Sequence, residues 1–234
     1  MEAAGALSYL HSSASISIFH RDVKSSNILL DRNYTAKVSD FGASRLVPVD
    51  QTHIVTNVQG TFGHLDPVYF HTRQLNEKSD VYSFGVVLVQ LLLRMKPVFT
   101  SESGIIKGLA SYFLEEFGEG RITGIVSSQV LEEATEEDIN AVASFAERCL
   151  RLRGEERPTM KQVETELQTQ RTKWVNSCKA NLRNEEQIQP SSLTQRSRAG
   201  HQSSATGLEE GANVQSGGCY SLEVEFMACA SLPR

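Results

Sequence analysis

The sequence predicts a mainly α-helical fold, and three stretches carry that expectation. Residues Ser79 to Leu93, SDVYSFGVVLVQLLL, are apolar on nearly every face, which suits a helix at the centre of a helical core. Thr135 to Asp138 reads as a capping box, and Ile139, Val142, Ala146, Cys149 and Leu150 follow it on one stripe. Thr159, with Gln162 three residues on, opens another helix that buries Met160, Val163 and Leu167.

The other elements follow in chain order. Ala3, Ala6, Leu7 and Leu10 repeat at helical spacing, so residues 2 to 12 form an amphipathic helix running into a polar loop, FHRDVKSSNILLD. Two short apolar runs, Ile28 to Leu30 and Tyr34 to Val38, flank the turn residues Asp31-Arg32-Asn33 and predict a small β-hairpin. Residues 39 to 78 lack sustained periodicity and read as a long functional loop. Pro97 is expected to stop the central helix, and Ile105, Leu109, Phe113 and Phe117 mark a further helix ending at Gly118. The first domain is expected to span residues 1–172. Residues 173–234 turn to Ser, Gln, Gly, Arg and Glu and predict a low-complexity, disordered tail, in which YSLEVEFMA is a docking peptide or fluctuating end.

Composition excludes several function classes. With 234 residues and 40% apolar content the chain can bury one good core. A net charge of −5 gives no basic footprint for nucleic acid or an anionic membrane surface. Cys149, Cys178, Cys219 and Cys229 lie too far apart for a CxxC metal site or a disulfide framework, which points to a reducing, intracellular setting. The start MEAAGALSYLH lacks the basic and continuously apolar pattern of a signal peptide, and the run Phe84 to Met95 is too short to span a bilayer.

His20-Arg21-Asp22, Lys24 and Asn27, followed by Asp40-Phe41-Gly42, resemble the catalytic and metal-binding loops of protein kinases. GTFGHLDP at 60–67, KSDVYSFGVVLVQLL at 78–92 and RPTMKQV at 157–163 keep the family order, and the match resembles plant receptor-like kinases of the wall-associated type. The resemblance implies the C-terminal, helical lobe of the kinase fold and ATP- and Mg2+-dependent transfer to protein Ser/Thr hydroxyls. It implies Asp22 as the base that orients the attacking hydroxyl, Lys24 as the cation over the transferring group, and Asn27 and Asp40 as magnesium ligands. Arg21 implies regulation by a phosphorylated activation segment. There, Thr56 is the candidate phosphosite, beside Thr52, and Thr61 resembles the family threonine facing the catalytic Asp. For His20 the expectation is a scaffold role. Protein substrates or partner kinases are the implied partners, and the cytoplasmic face of the plasma membrane is the implied location.

No Gly-x-Gly-x-x-Gly loop with a following strand lysine precedes His20, and GEGRITG at 118–124 reads as a helix stop and loop. The expectation is therefore that the nucleotide-gripping N-terminal β lobe is absent and that the chain alone is inactive. A kinase-derived binding module and a truncated product without function are the alternatives. Three positions depart from the family pattern. Val68 stands where a Glu is usual, which leaves Arg157 without its expected ion-pair partner at a cost of roughly 3–5 kcal/mol. His64 and Gln90 stand where related kinases commonly carry Tyr and Glu.

Overall fold

The computed structural model describes residues 1–12, 16–48 and 50–186. Helix α1 (Glu2–His11) leads to strand β1 (Ile16–Phe19) and, after a single 3-10 turn at Ser25–Asn27, to β2 (Ile28–Leu30) and β3 (Ala36–Val38). A second 3-10 turn at Phe41–Ala43 precedes β4 (Arg45–Pro48) and β5 (Ile54–Val55). Then come α2 (Pro67–Thr72), β6 (Gln74–Leu75), the long α3 (Glu77–Leu93), β7 (Val98–Thr100) and β8 (Ile106–Gly108). Helices α4 (Leu109–Gly118), α5 (Ile122–Ile125), α6 (Ser128–Glu133), α7 (Glu136–Cys149) and α8 (Met160–Glu186) complete the described chain. Helices dominate. The strands form four separate antiparallel pairs: β1 with β4, β2 with β3, β5 with β6, and β7 with β8.

Helix α3 is the axis of the core. Asn76 caps it by accepting the Lys78 N–H at 2.9 Å, and Val81, Val86 and Val89 are fully buried. The helix ends at Leu93, because Arg94 turns left-handed with φ 54°, so the stop falls three residues before Pro97. It packs on α4 and α7, contributing with Phe113, Ile139, Ala146 and Met160 to one apolar cluster. Each fully buried Leu, Val or Phe side chain in such a cluster is worth about 1.5–3 kcal/mol. Gly85 sits where α3 meets α7, and a Cβ there would lie 2.8 Å from Cys149 Cβ. The Cys149 thiol is buried and free, its pKa pushed up to about 12 by that burial.

Both helix starts form, the Thr135 capping box by its N-cap half, with the Asp138 carboxylate accepting the Thr135 hydroxyl at 2.7 Å, and the Thr159 start by both halves. Thr135 Oγ1 accepts the Asp138 N–H at 3.2 Å, and Thr159 and Gln162 exchange bonds at 2.8 and 3.3 Å. The hairpin also forms, with Asp31 Oδ1 accepting the Asn33 and Thr35 N–H groups at 2.8 and 3.0 Å.

Several expectations change. Ile105 precedes a strand instead of starting a helix, because β8 pairs with β7 and α4 begins only at Leu109. The 39–78 segment carries β4, β5, α2 and β6. Phe19, Val47, Tyr69 and Leu75 make a second, smaller core beneath it. Helix α8 runs to Glu186, fourteen residues past the expected boundary at 172. It packs against α1, where a Cβ on Gly5 would lie 3.0 Å from Glu164 Oε1. The YSLEVEFMA stretch falls outside the described residues.

Candidate functional site

The site is built on a strained loop held from below. Arg21 adopts φ 75°, a left-handed conformation that costs a non-glycine residue about 1–3 kcal/mol. Asp80, in the first turn of α3 and 1% exposed, offsets it by accepting the backbone N–H groups of His20 and Arg21, both at 2.7 Å. Its Oδ2 also lies 2.8 Å from His11 Nε2. Gly60 comes so close to this loop that a Cβ would sit 3.0 Å from the Arg21 carbonyl, and its φ of 140° favours glycine.

Above that anchor, four side chains meet. The Asp22 carboxylate accepts the Thr61 hydroxyl at 2.6 Å, pairs with Lys24 Nζ at 2.8 Å and takes Asn27 Nδ2 at 3.3 Å. Lys24 Nζ also donates to Thr61 Oγ1 at 2.8 Å. Burial pushes the Asp22 pKa up, but the hydrogen bonds from Lys24 and Thr61 and the Lys24 charge outweigh it, and the carboxyl lies below its ordinary value. Asp22 is therefore ionised at neutral pH.

The hairpin returns the chain to the same place. Ser39 donates both its N–H and its hydroxyl to the Asn27 carbonyl, at 2.9 and 3.0 Å, and its own carbonyl lies 3.0 Å from His20 Nε2. Asp40 follows with φ 65° and an exposed side chain. His20 is buried with its ring 5.0 Å from that of Phe41, a packing position.

Arg21 also reaches the 56–59 segment. Its buried guanidinium donates to Tyr69 Oη (2.9 Å), Gln59 Oε1 (2.9 Å), Thr56 Oγ1 (3.1 Å), the Ala43 carbonyl (3.3 Å) and the Asn57 carbonyl. All five acceptors are neutral. Thr52 is exposed and lies beside His53, away from that cluster.

Arg157 is not alone. Its Nη1 and Nη2 donate to Asp66 Oδ2 and Oδ1 at 2.8 and 2.9 Å, a buried two-point ion pair that corrects the expectation drawn from Val68. Asp66 meanwhile caps α2 through the Val68 N–H at 3.0 Å. His64 and Gln90, the other two departures, bond to each other at 2.8 Å.

Sequence reasoning finds no role for Asp80, His11, Asp66 or Ser39. Asp80 has a legible signal, a carboxylate at the head of a helix too apolar to carry an unpartnered charge. Asp66 has a weaker one as an Asp before Pro at a helix start.

A helical body carrying this loop and hairpin defines a class. The protein kinase domain model matches residues 1–167, and the chain belongs to that family. Within it, the likeness is to the wall-associated receptor type. Wall-associated receptor kinase 5 of Arabidopsis thaliana is 54% identical over 173 residues, covering 74% of this chain and 24% of that protein. Wall-associated receptor kinase-like 1 of the same plant is 52% identical over 72% of the chain and 23% of its own length. Putative wall-associated receptor kinase-like 16 is 53% identical over 74% of the chain and 40% of its length. The chain thus spans about a quarter of the length of the first of these relatives.

Protein kinases as a family use ATP and Mg2+, and the donor set here fits the cation. Asn27 spends its amide N–H groups on Asp22, leaving Oδ1 as an acceptor, and Asp40 offers an exposed carboxylate. One amide oxygen and one carboxylate suit magnesium, which takes its other ligands from phosphate and water. No group of three or more His, Cys, Asp or Glu that could hold a metal occurs among the described residues. No helix among them is long and apolar enough to cross a membrane.

Proposed function

We propose that residues 1–172 form the helical lobe of a receptor-like serine/threonine kinase, with Asp22, Lys24, Asn27 and Asp40 as its reactive set. One observation carries this reading: an ionised Asp22 shares a hydroxyl, that of Thr61, with Lys24 at 2.6 and 2.8 Å. Those are the contacts a substrate Ser or Thr hydroxyl needs. Asp22 orients such a hydroxyl and receives its proton as the oxygen bonds phosphorus. Lys24 holds positive charge beside the group in transfer. Asn27 Oδ1 and the Asp40 carboxylate are the atoms that would hold magnesium. When bound, magnesium-ATP supplies the electrophilic phosphoryl group and takes away the leaving oxygen.

Leu29, Leu30 and Phe41, on the strand and turn flanking Asn27 and Asp40, are 53%, 64% and 47% exposed. Exposed apolar side chains there support a role for the hairpin and turn as a place where a nucleotide base and a second lobe rest. Arg21 adds regulation. Among the described residues its guanidinium has only neutral acceptors, one of them Thr56, so a phosphate on Thr56 gives it an anionic partner. Protein substrates or partner kinases, at the inner face of the plasma membrane, complete the reading.

The test joins the chain to the N-terminal lobe of a wall-associated relative and measures transfer to a Ser/Thr substrate. ATP-dependent transfer is expected, and Asp22→Asn lowers it about 10²–10⁴-fold. A well-folded but inactive fusion overturns the enzyme reading in favour of a binding module.

A further inference from the structure

His64 is 4% exposed and sits three residues beyond Thr61 on the segment that completes the site. Gln90 Nε2 is 3.5 Å from the Met95 carbonyl, which turns its Oε1 toward His64 Nε2 at 2.8 Å. The imidazole therefore carries its proton on Nε2, and Nδ1 keeps a bare lone pair. That Nδ1 is buried and has no hydrogen-bond partner among the described residues.

The backbone of His64 is tied on both sides. Its N–H donates to the Thr61 carbonyl at 3.0 Å, and its carbonyl accepts the Ser83 hydroxyl at 2.7 Å. Gly63, beside it, is wedged so that a Cβ would lie 2.9 Å from Pro97 and Val98. The charges that act on the ring are the Asp22 carboxylate and the Lys24 ammonium, with opposite signs. Helix α3 brings only the neutral Gln90 and Ser83, and the turn after it brings the Met95 carbonyl. A proton on Nδ1 would add a buried cationic N–H with no acceptor, which burial makes expensive.

We propose that His64 is a positioning residue: seated neutral on Gln90, it holds Thr61 against Asp22 and Lys24, and its protonation unseats that segment. The hydroxyl-orienting cluster of this chain is thereby acid-labile, a property that a Tyr–Glu pair at the same two positions would not confer. The proposal rests on the reading of Asp22 as the orienting base. Burial, partly opposed by the Gln90 bond and the Asp22 charge, holds the imidazole below its usual 6.5, so the neutral seat prevails at pH 7.

The test follows the His64 ring and the Thr61 methyl group by NMR in the whole 234-residue chain, from about pH 8 down to pH 5. Both resonances are expected to move together with one midpoint below 6.5. His64→Tyr should abolish the Thr61 transition, and Gln90→Glu, which gives the ring an anionic acceptor, should raise the His64 midpoint and carry the Thr61 transition up with it. Three results overturn the proposal: a His64 ring that stays neutral throughout, a Thr61 methyl that stands still while His64 titrates, or a Thr61 transition that survives His64→Tyr. The near-isosteric Gln90→Glu keeps the test decisive if His64→Tyr fails to fold. No phosphoryl transfer is needed, so the outcome is independent of whether the fusion is active.

Discussion

Asp66 carries two loads with one carboxylate, and that sets what its neighbours can do. It caps α2 and neutralises Arg157, whose guanidinium also lies 5.0 Å above the Tyr82 ring. Asp66→Ala leaves Arg157 buried without a counter-charge, and urea unfolding should show a loss of about 3–5 kcal/mol. Val68→Glu adds a second carboxylate where the first is already satisfied, so the same measurement should stay within about 0.5 kcal/mol of the parent. Asp22 gives a pH prediction. Its folded pKa is depressed, so its contribution is present above the unfolded value of 3.8 and is lost only as pH falls through the folded value. Asp22→Asn should leave the slope of stability against pH unchanged between about pH 5 and pH 8 and soften it only in stronger acid.

At the scale of elements, the contact of α3 with α7 is tight at Gly85. Alanine is the better helix former by about 1 kcal/mol, yet its Cβ would meet Cys149 Cβ at 2.8 Å and Leu150 Cδ2 at 3.1 Å. Neither helix can yield without repacking, so Gly85→Ala should destabilise by about 1–3 kcal/mol, read from the urea midpoint. The elements that could be read from the sequence are those whose signal is local. The helix starts at Thr135 and Thr159 and the Asp31 turn each lie within five residues of chain, and each formed where expected. The β1–β4 pair was not legible, because Ile16–Phe19 and Arg45–Pro48 are strands only through each other. The same limit hid Asp66 from Arg157, 91 residues apart. In the site, the spacing of Asp22, Lys24 and Asn27 could be read along the chain and the Thr61 contact through the family resemblance, whereas the His64–Gln90 bond required the fold. Helix α8 runs on to Glu186 beyond its buried Met160 and Val163, and a helix that continues after its buried stripe has stopped leaves little signal in composition.

For the molecule as a whole, the proposed function separates the reactive set from the grip on nucleotide. The 234 residues contain no glycine-rich loop and strand lysine before His20, so the chain by itself should show no saturable ATP·Mg binding at micromolar nucleotide by calorimetry. Tight binding would mean that the helical face alone suffices. The anchor at Asp80 has a different consequence, for time and not for chemistry. The amide protons of His20 and Arg21 point into a buried carboxylate on the central helix, and that helix cannot move without opening the core. Those two protons should therefore exchange with deuterium as slowly as any in the domain, released only by global unfolding. A loop of catalytic sequence would then be among the last parts to let go, and losing it and losing the domain would be a single event.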